Sequence, residues 1–198
     1  YFDLGYRGIR YFGTGETTLE ISTIRELNSF AADIVDGSFD SEIQTNGVMP
    51  VKVAEWLGEE ITNIWISWDG TPEAHDRYRK LRSGKPSSPV IERNARIMIE
   101  RKNSNRGFVG ARATISNANL HLQKEMIDYF AQFGIKYIYS DPVFAPLSDT
   151  VSTEPDFSVD LMEYARTYVE AYYYAKQKGI FYGSFYIINF DKPCSTHC

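Results

Sequence analysis

With 198 residues, 43% of them hydrophobic and 24% charged, the chain has ordinary globular composition and enough length to bury a substantial core as one domain. A formal net charge of −5 with no basic run argues against a nucleic-acid partner; the densest basic patch, Arg77, Arg79, Lys80, Arg82 and Lys85, reads as solvated surface or a contact for an anionic substrate. No stretch reaches the roughly 18–20 apolar residues that span a bilayer and no signal peptide is visible, so no membrane partner is expected.

The chain opens without Met, inside structured-looking sequence, and reads as a piece of something longer. Both cysteines, Cys194 and Cys198, lie at its C-terminal end. A core without other cysteines fits a reducing cytoplasm better than a disulfide scaffold.

Apolar periodicity alternates between strand and helix almost throughout. Residues 9–12 predict a first strand that stops at Gly13-Thr14-Gly15-Glu16. Strand, glycine turn and helix in succession place backbone groups against a small ligand in α/β proteins. Glycine there permits φ > 0 and the close approach of a ligand. Glu16 leaves the carboxyl end of the strand, where parallel α/β folds bind ligands. By itself the turn reads equally as a tight connection.

Leu19, Ile21, Ile24, Leu27, Phe30, Ala31 and Ile34 then predict a helix over 18–35, stopping at Asp36-Gly37. A second strand, 42–45, runs into Asn46-Gly47, and Pro50 suits the first turn of a helix through Trp56 and Leu57. Residues 61–68, β-branched and aromatic, predict a third strand ending at Asp69-Gly70. A polar stretch, 71–86, precedes a helix over 87–102, a strand over 108–115, a helix over 120–133 and a strand over 135–139. A loop over 141–156 with three prolines leads to a helix over 158–178, ended by Gly179, and to a last strand over 180–188. The aromatic run Tyr172-Tyr173-Tyr174 and residues 181–190 read as core and interface.

About six strands alternating with about five helices give a doubly wound sheet or a barrel. After Gly15 no third glycine completes a dinucleotide fingerprint, and no Walker lysine is present, which removes the nucleotide-phosphate readings. Polar residues end most strands: Glu16, Asn46, Ser67 with Asp69, Arg112 with Thr114, and Asp141. Side chains converging from several strand ends mark a barrel active site, yet eight β/α units take about 250 residues. The expected fold is therefore α/β, an incomplete TIM-type barrel.

This ordered set of strand ends resembles the radical S-adenosylmethionine (SAM) superfamily, specifically its SPASM-domain-containing peptide and protein maturases of the anaerobic sulfatase-maturase kind. Phe12-Gly13-Thr14-Gly15-Glu16-Thr17-Thr18-Leu19 resembles the family's Gly-Gly-Glu-Pro segment, and Gln44-Thr45-Asn46-Gly47 its Thr-Asn-Gly strand ending. Ile66-Ser67-Trp68-Asp69-Gly70, with Pro72, Glu73, His75, Asp76, Arg79 and Gly84, resembles the next strand and its loop, and Val109-Gly110-Ala111-Arg112-Ala113-Thr114-Ile115 the strand after that.

The resemblance implies a partial (β/α)6 barrel over 1–190, its first β/α unit absent or truncated, followed by the start of a SPASM-like cysteine-rich domain over 191–198. It implies SAM as cofactor, its ammonium near Glu16 and the carbonyls of Gly13, Thr14 and Gly15. An acceptor-only carboxylate beside carbonyl oxygens suits an ammonium, while the plainer role for Glu16 is a charge at a helix N-terminus. Ser67 and Asp69 would face the ribose; Asp69 reads equally as a strand-ending Asp-Gly turn. Arg112, inside an otherwise apolar strand, would be costly unpaired; the SAM carboxylate or a structural ion pair would satisfy it. His75, Asp76 and Arg79 would orient a peptide substrate or begin a helix, and Asp141 would touch substrate or begin a turn.

Cys194-Ser195-Thr196-His197-Cys198 stands where the family's auxiliary [4Fe-4S] clusters take their first cysteines; the alternative is free thiols on a tail. Two departures stand out. The family's SAM-cleaving [4Fe-4S] cluster needs a Cys-x-x-x-Cys-x-x-Cys, and this chain has no cysteine before Cys194. Thr17 replaces the usual Pro, losing a fixed φ while being able to cap the following helix.

The reading is a radical SAM enzyme that, in its intact form, cleaves SAM to a 5′-deoxyadenosyl radical and modifies a peptide or protein. The resemblance further implies an electron donor such as flavodoxin or ferredoxin. The alternatives are action on a small metabolite, a barrel hydrolase pairing Glu16 with Asp69 or Asp141, and a degenerate barrel that only binds peptide.

Overall fold

A computed structural model describes residues 8–35, 39–102, 106–143 and 157–185. In chain order the elements are β1 (Gly8–Tyr11), a 3-10 turn (Thr17–Glu20), α1 (Ile21–Ile34), β2 (Asp40–Thr45), α2 (Val51–Glu60) and β3 (Asn63–Ser67). There follow α3 (Pro72–Tyr78), α4 (Ser88–Arg101), β4 (Phe108–Ile115), a 3-10 turn (Leu120–Leu122), α5 (Gln123–Gln132), β5 (Tyr137–Pro142), α6 (Leu161–Gln177) and β6 (Phe181–Gly183). The chain divides into two compact units, Tyr1–Ser67 with Lys80–Gly110, and Trp68–Arg79 with Ala111–Cys198.

In the first unit β1, β2 and β3 pair in parallel, with Tyr11 beside Ile43 and Thr45 beside Ile66. Strand and helix faces pool Ile43, Leu57, Ile61, Ile64, Ile66, Ile91 and Met98 into a fully buried core. Burial of an aliphatic side chain of this size is worth about 1.5–3 kcal/mol. Ser41 and Thr62 lock β2 to the start of β3 reciprocally, each backbone N–H donating to the other's hydroxyl at 3.1 Å. Gly58 lets α2 approach α4 closely: a Cβ there would stand 2.8 Å from the Met98 carbonyl oxygen.

In the second unit β4, β5 and β6 pair in parallel. Trp68 is fully buried and meets Tyr129, Phe130 and Phe133 edge to face, at centroid distances of 5.6, 5.2 and 4.9 Å. Such arrangements set the positive ring edge on the negative ring face. The α6 face that packs inward carries Tyr164, Tyr168, Ala171 and Ala175. Tyr164 donates to the Ser140 carbonyl at 2.6 Å, and Tyr182 to Gln123 Oε1 at 2.6 Å, so these buried phenols are hydrogen-bonded.

The structure differs from the sequence expectations in several places. The polar stretch 71–86 contains α3, a two-turn helix opened by Pro72 near its N-terminus. Its polar composition hid it, because its inward residue is a histidine rather than an aliphatic. Asp141 does not begin a loop: β4 is eight residues long and carries β5 on to Pro142, with Thr114 beside Asp141. In the tyrosine run, Tyr173 is exposed, and the core aromatics of α6 are Tyr164 and Tyr168. Of the expected strand over 180–188, Phe181–Gly183 is observed and 186–188 lie outside the described residues, as do Cys194 and Cys198. Among the described residues no helix is long and apolar enough to cross a membrane.

Candidate functional site

The turn after β1 and the end of β2 frame a cleft of about 370 Å³ in the first unit, within the size range of small-ligand sites. Phe12, Gly13, Thr14, Gly15, Glu16 and Thr17 form one wall. Gln44, Thr45, Asn46 and Ser67, at the carboxyl ends of β2 and β3, form the other. Neither Gly13 nor Gly15 adopts a positive φ, so the turn does not need glycine for its conformation. What glycine provides is room: nothing lies within 4 Å of a Cβ built at either position.

Glu16 holds this site together. As N-cap of the 3-10 turn it accepts the Thr18 N–H at 3.1 Å and the Thr18 hydroxyl at 2.7 Å, both on Oε1. The Thr45 hydroxyl donates to the same oxygen at 2.6 Å. Among the described residues Oε2 accepts one bond, from the Asn46 N–H at 2.7 Å. The helix-terminus role and a ligand role therefore coexist in one carboxylate: Oε1 ties the turn to β2, while Oε2 retains accepting capacity. The capping expected of Thr17 is performed by Glu16 instead. Thr45 is the residue whose part the sequence reading missed; its signal was a hydroxyl one residue before the Asn-Gly turn.

The second unit gathers other expected site residues. Asp69, 5% exposed, accepts Arg79 Nε at 2.6 Å on Oδ2 and the Thr114 N–H at 2.8 Å on Oδ1. Arg79 Nη2 donates to the Thr114 hydroxyl at 3.1 Å. His75 is fully buried, and its Nδ1 accepts the Asp69 N–H at 3.2 Å, which fixes the proton of the neutral ring on Nε2. Burial lowers the His75 pKa, opposed by the Asp69 charge, assisted by Arg79 and opposed again by Asp76. Asp69, Tyr78, Arg79, Thr114, Asn119 and Phe157 help line a cavity of about 230 Å³.

Arg112 is half-buried on β4, with its guanidinium 4.7 Å from the ring centre of Phe185 and 5.9 Å from that of Tyr139. Those two rings stack at 4.6 Å and 8°. A guanidinium laid on aromatic faces is an electrostatically favourable setting for a cation inside an apolar strand. Asp141 accepts the Ser184 hydroxyl at 2.8 Å and the Phe185 N–H at 2.9 Å. Among the described residues no cluster of three His, Cys, Asp or Glu side chains could hold a metal ion.

Comparison with known proteins gives a consistent picture. No family model matches the chain. Over 123 residues, 60% of the chain, it is 28% identical to the serine-type anaerobic sulfatase-maturating enzyme of Bacteroides thetaiotaomicron, of which it spans 27%. A structure of anSMEcpe with bound AdoMet and the Cp18Cys peptide superposes with a TM-score of 0.74 at 19% identity, covering 96% of this chain and 55% of that one. Streptococcus suis SuiB superposes with a TM-score of 0.64 at 14% identity, covering 89% of this chain and 38% of that one. A domain of a pyruvate-formate lyase-activating enzyme from Bacteroides vulgatus gives 0.57 at 12% identity, covering 89% of this chain and 98% of the domain. The chain thus spans about a quarter of the curated relative and about half of the anSMEcpe structure. The expected α/β fold with parallel strands is observed and is similar to that of radical SAM barrel enzymes, and the chain is similar to the sulfatase-maturating enzymes in sequence and in structure.

Proposed function

We propose that this chain, carrying the radical SAM barrel fold and resembling the sulfatase maturases, is the SAM-binding part of a radical SAM enzyme that modifies a peptide or protein. The observation that carries the proposal is the Glu16 cleft of the first unit. Its carboxylate is aimed between two strand ends with accepting capacity left on Oε2. Gly13, Thr14 and Gly15 line the cleft, with nothing within 4 Å of a Cβ built at either glycine. A carboxylate with accepting capacity left suits an ammonium, and the methionine end of SAM presents one. The Ser67 hydroxyl, on the same cleft, is the group proposed for the ribose. In the second unit Arg112 is proposed as a carboxylate-binding group, and Arg79, with Asp141, as a group facing peptide. Asp69 and His75 are proposed to hold Arg79 and Thr114 in place, which suits the bonds they make.

Protein relatives with bound AdoMet and a bound peptide support both the cofactor and the substrate class. Glu16 and Asp69 each have both carboxylate oxygens engaged by protein donors, which favours binding over hydrolysis by paired carboxylates. The [4Fe-4S] cluster of such enzymes supplies the electron for SAM cleavage, and the described residues do not fit one, since they include no cysteine. Cys194 and Cys198 are proposed as ligands of an auxiliary cluster. The contribution proposed for the described residues is to bind SAM, orient it and shield it from water. A flavodoxin or ferredoxin as electron donor and a cytoplasmic site of action complete the proposal.

The test is anaerobic reconstitution of the intact protein with iron and sulfide, followed by addition of SAM and dithionite. Formation of 5′-deoxyadenosine and methionine is expected. An iron-loaded protein that leaves SAM whole would overturn the proposal.

A further inference from the structure

Asn94 stands away from the cleft, in the middle of α4, and is fully buried. A buried amide inside an aliphatic helix face is retained only if its donors and acceptor are satisfied. Here Nδ2 donates to the carbonyls of Gly47 and Met49, at 2.8 and 2.9 Å. Oδ1 accepts Nε and Nη2 of Arg93, at 3.2 and 3.1 Å. Both donors of one side chain are thus spent on the loop that follows β2.

That loop has little freedom elsewhere. Gly47 sits at φ +78, and a Cβ there would stand 3.0 Å from Ile66 Cγ2 and 3.2 Å from Ile91 Cγ1. Its N–H donates to the Thr45 hydroxyl at 3.1 Å, and the same hydroxyl donates to Glu16 Oε1. The Asn46 N–H, whose direction depends on the path of the chain into Gly47, is the one donor to Glu16 Oε2 among the described residues. From the interior of α4 the bonds reach the Gly47 carbonyl, and the chain on either side of it supplies the Thr45 hydroxyl to Oε1 and the Asn46 N–H to Oε2 of Glu16, a residue that lines the cleft.

We infer that Asn94 is a positioning residue for SAM recognition: it sets the Asn46 amide and Thr45 hydroxyl, and through them the orientation of the Glu16 carboxylate. The inference rests on the assignment of the cleft to SAM. Asn94 touches no ligand and takes part in no chemical step. Its effect is on how much of the Glu16 population is pre-organised for the ammonium.

The probe is SAM itself, measured by equilibrium dialysis on the intact protein, with wild type, Asn94→Asp, Asn94→Ala and a control, Met98→Ala, from the same helix. Asn94→Asp keeps the shape and the Arg93 contact, and replaces the two donors to Gly47 and Met49 with an acceptor and a buried charge that repel those carbonyls. Asn94→Ala serves if the aspartate variant does not fold. Met98 is equally buried and lies outside the loop bonds. Amide exchange over residues 45–49 is read in parallel.

The expected result is a Kd for SAM raised at least tenfold in both Asn94 variants at a temperature where they are folded. Exchange over 45–49 should accelerate, while Met98→Ala, with a comparable loss of Tm, binds SAM as wild type does. Wild-type affinity in the Asn94 variants, or an equal weakening in Met98→Ala, overturns the positioning role and leaves the cleft assignment standing. A wild type that does not bind SAM overturns the cleft assignment itself, and this inference with it.

Discussion

Thr45 donates its hydroxyl to Glu16 Oε1 at 2.6 Å, joining the last residue of β2 to the turn after β1. The same hydroxyl accepts the Gly47 N–H, so one side chain fixes both walls of the cleft. Thr45→Val keeps the shape and deletes both bonds. A hydrogen bond to a charged group contributes about 1.5–3 kcal/mol, so a loss near 2 kcal/mol is expected in urea unfolding, together with weaker SAM binding. Unchanged stability would show that the Thr45–Glu16 bond carries no net energy.

Two glycines in the first unit separate backbone strain from space. Gly84 has φ +79 and nothing within 4 Å of a built Cβ. Gly107 has φ +75, but its Cβ would clash with the Thr62 carbonyl oxygen. Gly84→Ala is expected to cost about 1–2 kcal/mol, the ordinary penalty of a left-handed residue. Gly107→Ala is expected to exceed about 4 kcal/mol, because the backbone contact of Phe108 with Thr62 must open as well. Equal unfolding free energies for the two variants would contradict this ordering.

His75 gives the second unit a pH dependence of known sign. Burial lowers its pKa below the usual 6.5, so the folded state favours the neutral ring that accepts the Asp69 N–H. The unfolded chain then binds the proton first, and the stability held above about pH 6.5 is lost as pH falls from there towards the folded pKa. Tm should fall between pH 7.5 and 5.5. His75→Asn, which offers an oxygen near the Nδ1 position and does not titrate, should flatten that part of the profile. A histidine-independent slope would assign the acid sensitivity to other groups.

Much of the architecture was legible because its signals are apolar. Residues 61–68 announce β3 through isoleucine and tryptophan, and residues 108–115 announce β4 through Phe108, Val109 and Ile115 around small side chains. The strand-end residues Glu16, after residues 9–12, and Ser67, in 61–68, stood out for the opposite reason, as polar groups closing apolar runs. What stayed hidden is polar and buried. α3 turns His75 inward, Asp69 meets Arg79 and a main-chain N–H, and Asn94 spends its donors on two carbonyls. A sequence shows that such side chains are polar; only the path of a distant loop decides that they are satisfied inside. Glycine was misread in part too: Gly13 and Gly15 leave room for a ligand without a positive φ, whereas Gly47 combines a positive φ with a crowded site.

The central claim is that the Glu16 carboxylate recognises the ammonium of SAM, and it is tested most directly by removing each partner in turn. The Kd values of SAM and of its analogue lacking the amino group are measured on the intact protein and on Glu16→Gln. The account predicts that wild type prefers SAM by at least tenfold, about 1.4 kcal/mol, and that Glu16→Gln binds the two ligands equally. Equal affinity of wild type for SAM and the deaminated analogue would contradict it.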